Sequence, residues 1–122
     1  MEQRRVLGKR ILLVEDERWV RECIKRLLSV DAHVVTEASN GAEAVELYCR
    51  SEFDVVITDF DMPEMAGDEL INKIRSRSPR QPVVMITACS EQFGDEDHPA
   101  NAILGKPFGI TELRETLASL FA

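Results

Sequence analysis

Four apolar residues, Ile11-Leu12-Leu13-Val14, run without a break into three acids, Glu15-Asp16-Glu17. No polar residue alternates inside the run, so it reads as a strand buried on both faces rather than one with a wet side. Strands of that kind belong to parallel sheets, whose connections must cross over, usually as helices. The following residues meet that demand. Val20, Ile24, Leu27 and Leu28 fall at helical spacing. Residues 33–38 (HVVTEA) read as a second strand, placed nearer an edge by their polar residues. Ser39-Asn40-Gly41 marks a turn and helix start, and Ala44, Val45 and Tyr48 give that helix an inner face. Residues 54–58 are a third strand. The loop FDMPEMAG then leads to a helix with Leu70, Ile71 and Ile74 turned inward. Pro82 opens a fourth strand over 83–87, residues 102–104 make a short fifth, and Ile110, Leu113, Leu117 and Leu120 line a closing helix.

Between the last two strands the pattern fails. Gly94 and Pro99 interrupt residues 90–101, and Glu91, Asp95, Glu96 and Asp97 crowd them with like charge. A long stable helix is not expected there. No repeat, low-complexity tract or interdomain linker divides the chain, so residues 1–122 read as one domain, with 1–8 as a loose leader.

Bulk composition excludes several functions. The chain has 122 residues, 44% of them apolar, which is enough for one packed core. Its 15 basic and 22 acidic residues give a net charge of −7, against the basic surface that direct nucleic-acid binding needs. No apolar run approaches the roughly 20 residues required to span a bilayer, and the basic start MEQRRVLGKR lacks the apolar stretch of a secretion signal. Cys23, Cys49 and Cys89 are odd in number and widely spaced, fitting neither a disulfide framework nor a zinc site. A reducing cytoplasm is the simplest setting. His33 and His98 read as ordinary surface residues, and Lys73, Arg75, Arg77 and Arg80 as the solvated end of the third helix.

In an open parallel sheet, ligands bind beyond the carboxyl ends of the strands. The first strand ends at Glu15 and Asp16, the third at Asp59 with Asp61 beyond it, the fourth at Thr87, and the fifth at Lys106 with Pro107. Four carboxylates on one rim repel one another, and a hard divalent cation with oxygen ligands relieves the repulsion; Mg2+ takes one or two carboxylates, waters and a phosphate oxygen. Lys106 supplies a point charge suited to phosphate, and Thr87 a hydroxyl donor. A carboxylate held between a metal and a lysine can attack phosphorus.

These residues resemble the response-regulator receiver domain of two-component signalling, from about Arg10 to Phe121. The segment DFDMPEMAG, Asp59 to Gly67, is similar to that family's phosphoacceptor loop. The runs VED, ITA and KPF resemble its other three motifs. The resemblance implies a flavodoxin-like, doubly wound α/β fold: five parallel strands in the order 2-1-3-4-5, helices on both faces, and here a fourth helix that is short or irregular. It implies that Asp59 takes a phosphoryl group from a phosphohistidine on a sensor histidine kinase or histidine phosphotransfer protein. Asp16 would bind Mg2+ directly, Glu15 through water, and Asp61 through its main-chain carbonyl. Lys106 would pair with Asp59 or its phosphoryl group, and Thr87 would move to report the modification. The domain would assist its own phosphorylation and slow dephosphorylation without turning over an independent substrate.

Three departures from the family stand out. Its aromatic residue three places before the lysine is Ile103 here, so a relay from Thr87 to a ring lacks its ring. The stretch from Thr87 to Lys106 is short by roughly one helical turn. Asp61 places a carboxylate two residues after the acceptor, where it would tune the lifetime of the phosphorylated state, and Cys89 would limit water access at the pocket mouth. Two other functions compete. One is a receiver-like interaction module that does not switch. The other is a phosphohydrolase of the haloacid-dehalogenase type, which Asp59-Phe60-Asp61 resembles, although Gly94-Asp95-Glu96-Asp97 has the wrong spacing for its metal motif.

Overall fold

The structure is a computed structural model that describes residues 5–88 and 99–121. Five strands, β1 (Arg10–Val14), β2 (Val34–Ala38), β3 (Val55–Asp59), β4 (Val83–Thr87) and β5 (Ala102–Gly105), form one sheet in the order β2-β1-β3-β4-β5. Every pairing is parallel. The helices are α1 (Arg18–Ser29), α2 (Gly41–Arg50), α3 (Gly67–Arg77) and α4 (Ile110–Leu120). The expected fold and strand order are therefore observed. The expected short or irregular helix over 90–101 falls mostly on residues outside those described, as do Cys89 and His98.

Alternation along the strands sorts the core into two layers, because successive side chains point to opposite faces. Leu12, Val14, Val56, Val83 and Met85 pack with Ala44 and Tyr48 of α2 and Leu70, Ile71 and Ile74 of α3. Ile11, Leu13, Val55, Ile57, Val84, Ile86 and Leu104 pack with Ile24 and Leu28 of α1 and Leu113 and Leu117 of α4. The central strands β3 and β4 are buried at every residue, whereas β2 is half-open, as an edge strand with polar residues should be.

The strand ends differ slightly from the sequence reading. Asp54 lies just before β3, where its N–H donates to Arg10 O at 2.8 Å and its carboxylate accepts the Arg10 N–H at 2.8 Å, and β3 runs on to Asp59. Three other expectations need correction. His33 is buried rather than at the surface, with Nδ1 accepting the Lys9 N–H at 3.0 Å. Arg75 is not merely solvated: its guanidinium donates to the carbonyls of Pro99 and Gln81 and to the Asn101 side chain, tying α3 to the approach of β5. Within the segment read as a loose leader, Val6 is buried in the α1/α4 layer and the Gly8 N–H donates to the Asp31 carbonyl at 3.1 Å.

Candidate functional site

The same alternation that builds the core assembles the site. Glu15 continues the series Ile11, Leu13; Asp59 continues Val55, Ile57; Lys106 follows Leu104 at the same spacing. All three side chains thus emerge on the α1/α4 face at the carboxyl edge of the sheet. Main-chain bonds fix each one to a neighbouring strand. Glu15 N–H donates to Ala38 O at 3.1 Å, Phe60 N–H to Ile86 O at 2.8 Å, and Lys106 N–H to Thr87 O at 2.8 Å.

The result is a tight cluster. Lys106 Nζ lies 3.2 Å from Glu15 Oε2 and 3.4 Å from Asp59 Oδ2. Glu15 and Asp59 are buried, Lys106 is partly so, and Asp16 is exposed beside them. One carboxylate oxygen from each of Glu15, Asp16 and Asp59 lies within 4.8 Å of the others. Asp61 is exposed, and its N–H reaches Asp59 Oδ1 at 3.4 Å. Thr87 is fully buried at the end of β4, one residue beyond the Asp59–Ile86 pair. The bond from Lys106 to Pro107 is cis.

One ammonium among three carboxylates leaves an excess of negative charge. Burial, followed by repulsion from Asp59, pushes the Glu15 carboxyl up to about 7, against the opposing pull of the Glu17 N–H and Lys106. Burial likewise raises Asp59, while Lys106 and the Asp61 N–H work the other way. For Lys106, burial favours the neutral amine, but Asp59 and Glu15 outweigh it and raise its pKa. A set of hard oxygen donors whose own charge is uncompensated suits a small divalent cation, and Mg2+ fits it.

The β3–α3 loop is set by Gly67. A Cβ there would lie 2.7 Å from Asp59 O and 2.9 Å from Phe60 Cα, so only glycine lets α3 begin this close to the acid. The Gly67 N–H donates to Phe60 O at 3.0 Å, and Glu64 in the same loop has φ of 70°. Beside the cluster, Trp19, Val20, Cys23, Ile24, Leu27, Pro107 and Phe108 line an apolar groove of about 330 Å³ that reaches Lys106.

The structure thus brings Glu15, Asp16, Asp59 and Lys106 together and places Asp61 and Thr87 on the same rim. Sequence reasoning missed Arg21, whose guanidinium donates to Glu15 O at 2.8 Å, and gave no reason for Gly67. A glycine eight residues after the acid was a visible signal for the second. A base one turn into the helix that follows an acidic strand end was only a faint one for the first.

Comparison with known proteins decides the family. The model of the response regulator receiver domain matches residues 11–118. The chain belongs to that family. The receiver is 36% identical over 114 residues to response regulator MprA of Mycobacterium leprae, covering 91% of this chain and 50% of MprA. The receiver therefore spans about half the length of the curated relatives it matches. Among solved structures, response regulator TrrA of Thermotoga maritima in complex with Mg2+–BeF is 33% identical with a TM-score of 0.85, covering 92% of this chain and 98% of TrrA. The complex of histidine kinase ThkA with TrrA gives a TM-score of 0.84 at 32% identity, covering 93% of this chain and 99% of the matched one. Among the described residues no helix is long and apolar enough to cross a membrane.

Proposed function

We propose that Asp59 accepts a phosphoryl group from a phosphohistidine of a sensor histidine kinase or histidine phosphotransfer protein, and that this switches the contacts of the domain with a protein target in the cytoplasm. The single observation that carries this reading is a buried acid at a strand end, 3.4 Å from a lysine and clustered with two further carboxylates. Residues 1–122 would act as one receiver domain. The named neighbours, one bound to Mg2+–BeF and one to a kinase, support the reading.

Asp16 and Asp59 would hold Mg2+ through their carboxylates, Glu15 through water and Asp61 through its carbonyl. When bound, the cation neutralises charge on the transferring group. Asp59 attacks as the anion, a form opposed by burial and favoured by Lys106 and the Asp61 N–H. The P–N bond to the donor imidazole breaks as a P–O bond to Asp59 forms, and the nitrogen keeps the electron pair. Lys106, released from Asp59, follows the new phosphoryl oxygens, and the Thr87 hydroxyl would donate to one of them. Later, water attacks phosphorus, the P–O bond to Asp59 breaks and inorganic phosphate leaves, returning Asp59 to a carboxylate; the domain would thus assist its own cycle and turn over no separate substrate.

The test is incubation with Mg2+ and a small acyl phosphate, followed by intact-mass measurement. One added phosphoryl group, absent without Mg2+ and absent in Asp59→Asn, is the expected result. An unmodified wild-type protein that also fails to bind Mg2+ supports a non-switching interaction module instead.

A further inference from the structure

Asp16 sits in a turn of three successive acids, Glu15-Asp16-Glu17, which electrostatic repulsion should open. Arg21 meets that turn with both its main chain and its side chain. Its own N–H donates to Glu17 O at 2.9 Å, and its guanidinium donates to Glu15 O at 2.8 Å. The first is the opening main-chain bond of α1, which any residue but proline makes there; the second belongs to the Arg21 side chain alone. A third bond, from Glu17 N–H to Glu15 Oε1 at 3.2 Å, ties the turn to the buried carboxylate itself. The guanidinium is anchored in turn: Nε lies 3.5 Å from Glu37 on β2, which also pairs with Lys25 at 3.2 Å. The Arg21 side chain is only 18% exposed, so its fork is held by packing as well as by charge.

We propose that Arg21 is a positioning residue for the metal site: by gripping the Glu15 carbonyl while braced against Glu37, its side chain shapes the β1–α1 turn so that Glu15 and Asp16 meet Asp59. The inference rests on the metal role assigned above to these acids. Arg21 touches none of the reacting atoms and acts through the main chain of the two acids.

Charge and position make opposite forecasts here, which gives a clean test. A guanidinium near a cation site repels the cation, so deleting it for its charge alone tightens Mg2+ binding. Deleting a residue that preorganises the ligands weakens it. Titration calorimetry with MgCl2 on wild type, Arg21→Met and Arg21→Lys decides between them, with metal-free thermal melts recorded alongside. Arg21→Met should raise the Mg2+ dissociation constant about tenfold, in the range found for residues that orient metal ligands. Arg21→Lys, which keeps the charge but loses the fork, should fall between, and it keeps the test open if Arg21→Met does not fold. An unchanged or lowered dissociation constant in both variants, with or without a lower melting temperature, overturns the positioning role. A wild-type protein that binds no Mg2+ overturns the metal assignment first, and the inference with it.

Discussion

Glu15 carries the most unusual chemistry of any side chain in the site. Its carboxyl is raised to about 7 from an ordinary 4.5 by burial first and by Asp59 second. The native state then holds a proton that the unfolded chain has released, so stability falls as pH rises through this window. The contribution of Glu15 is full below about pH 4.5 and lost as pH rises past about 7, and Asp59 adds to it with the same sign. Metal-free protein should thus melt at a lower temperature at about pH 8 than at about pH 5, with Glu15→Gln flattening the trend and Mg2+ reversing it. Melts across that range in the presence of a chelator check this. His33 works in the opposite direction: burial lowers its pKa, so its contribution is present above about pH 6.5 and lost as pH falls. The Glu15→Gln comparison isolates the carboxyl from that background. Lys106→Met leaves two buried anions facing each other, costing on the order of 1–3 kcal/mol where both are charged and less where Glu15 is protonated. Denaturant titrations at the two pH extremes should show that difference in the same metal-free protein. At this scale the sequence was readable where a strand run ended in an acid or a lysine. The roles of His33, Arg21 and Arg75 depended on partners brought in by the fold, such as the Lys9 N–H 24 residues from His33 and the Asn101 side chain 26 residues from Arg75.

Elements were more legible than side chains. Strands buried on both faces can hardly hide, and β4 lies over the residues its apolar run indicates, while β2 betrays its edge position through Thr36 and Glu37. The β3 boundary slipped by one residue: Asp54 bonds Arg10 through both its N–H and its carboxylate just before the strand, and Asp59 joins the strand at the other end. The start of α3 is decided by one close approach. Gly67→Ala would drive a Cβ into the Asp59 carbonyl and Phe60 Cα, both main-chain atoms that cannot swing aside. It should cost about 1–3 kcal/mol by denaturant unfolding, and slow phosphoryl uptake because the acid itself is displaced. The start of α1 makes a different prediction. Trp19 is 78% exposed on the wall of an apolar groove that reaches Lys106. On the proposed function a phosphohistidine partner docks on this apolar groove beside Lys106, so Trp19→Ser should slow transfer from that partner while leaving uptake from acyl phosphate unchanged. Equal slowing with both donors would contradict that assignment.

Across the whole molecule, the functional edge and the opposite edge of the sheet are held by different means. The functional edge concentrates three carboxylates around one lysine. At the far edge the Arg114 guanidinium grips Asp31 through two bonds, of 2.9 and 3.1 Å, clamping α4 to the turn after α1. The hydrogen bonds from Arg114 hold the Asp31 carboxyl below its usual range. That clamp spans 83 residues of sequence and was invisible in it, whereas the parallel α/β class followed from the run of strand and helix signals and the strand order from the resemblance to the receiver family. The receiver covers half the length of MprA, and its proposed output is a change in the contacts its surface makes. Everything in that proposal turns on which atom takes the phosphoryl group. Borohydride reduces an aspartyl phosphate to homoserine, so peptide mapping of the protein after acyl phosphate, Mg2+ and borohydride treatment reads the site directly. Homoserine in place of Asp59, lost when Mg2+ is withheld, is the expected result. Homoserine in place of Asp16 or Asp61, or a phosphorylated protein that yields none, would contradict it.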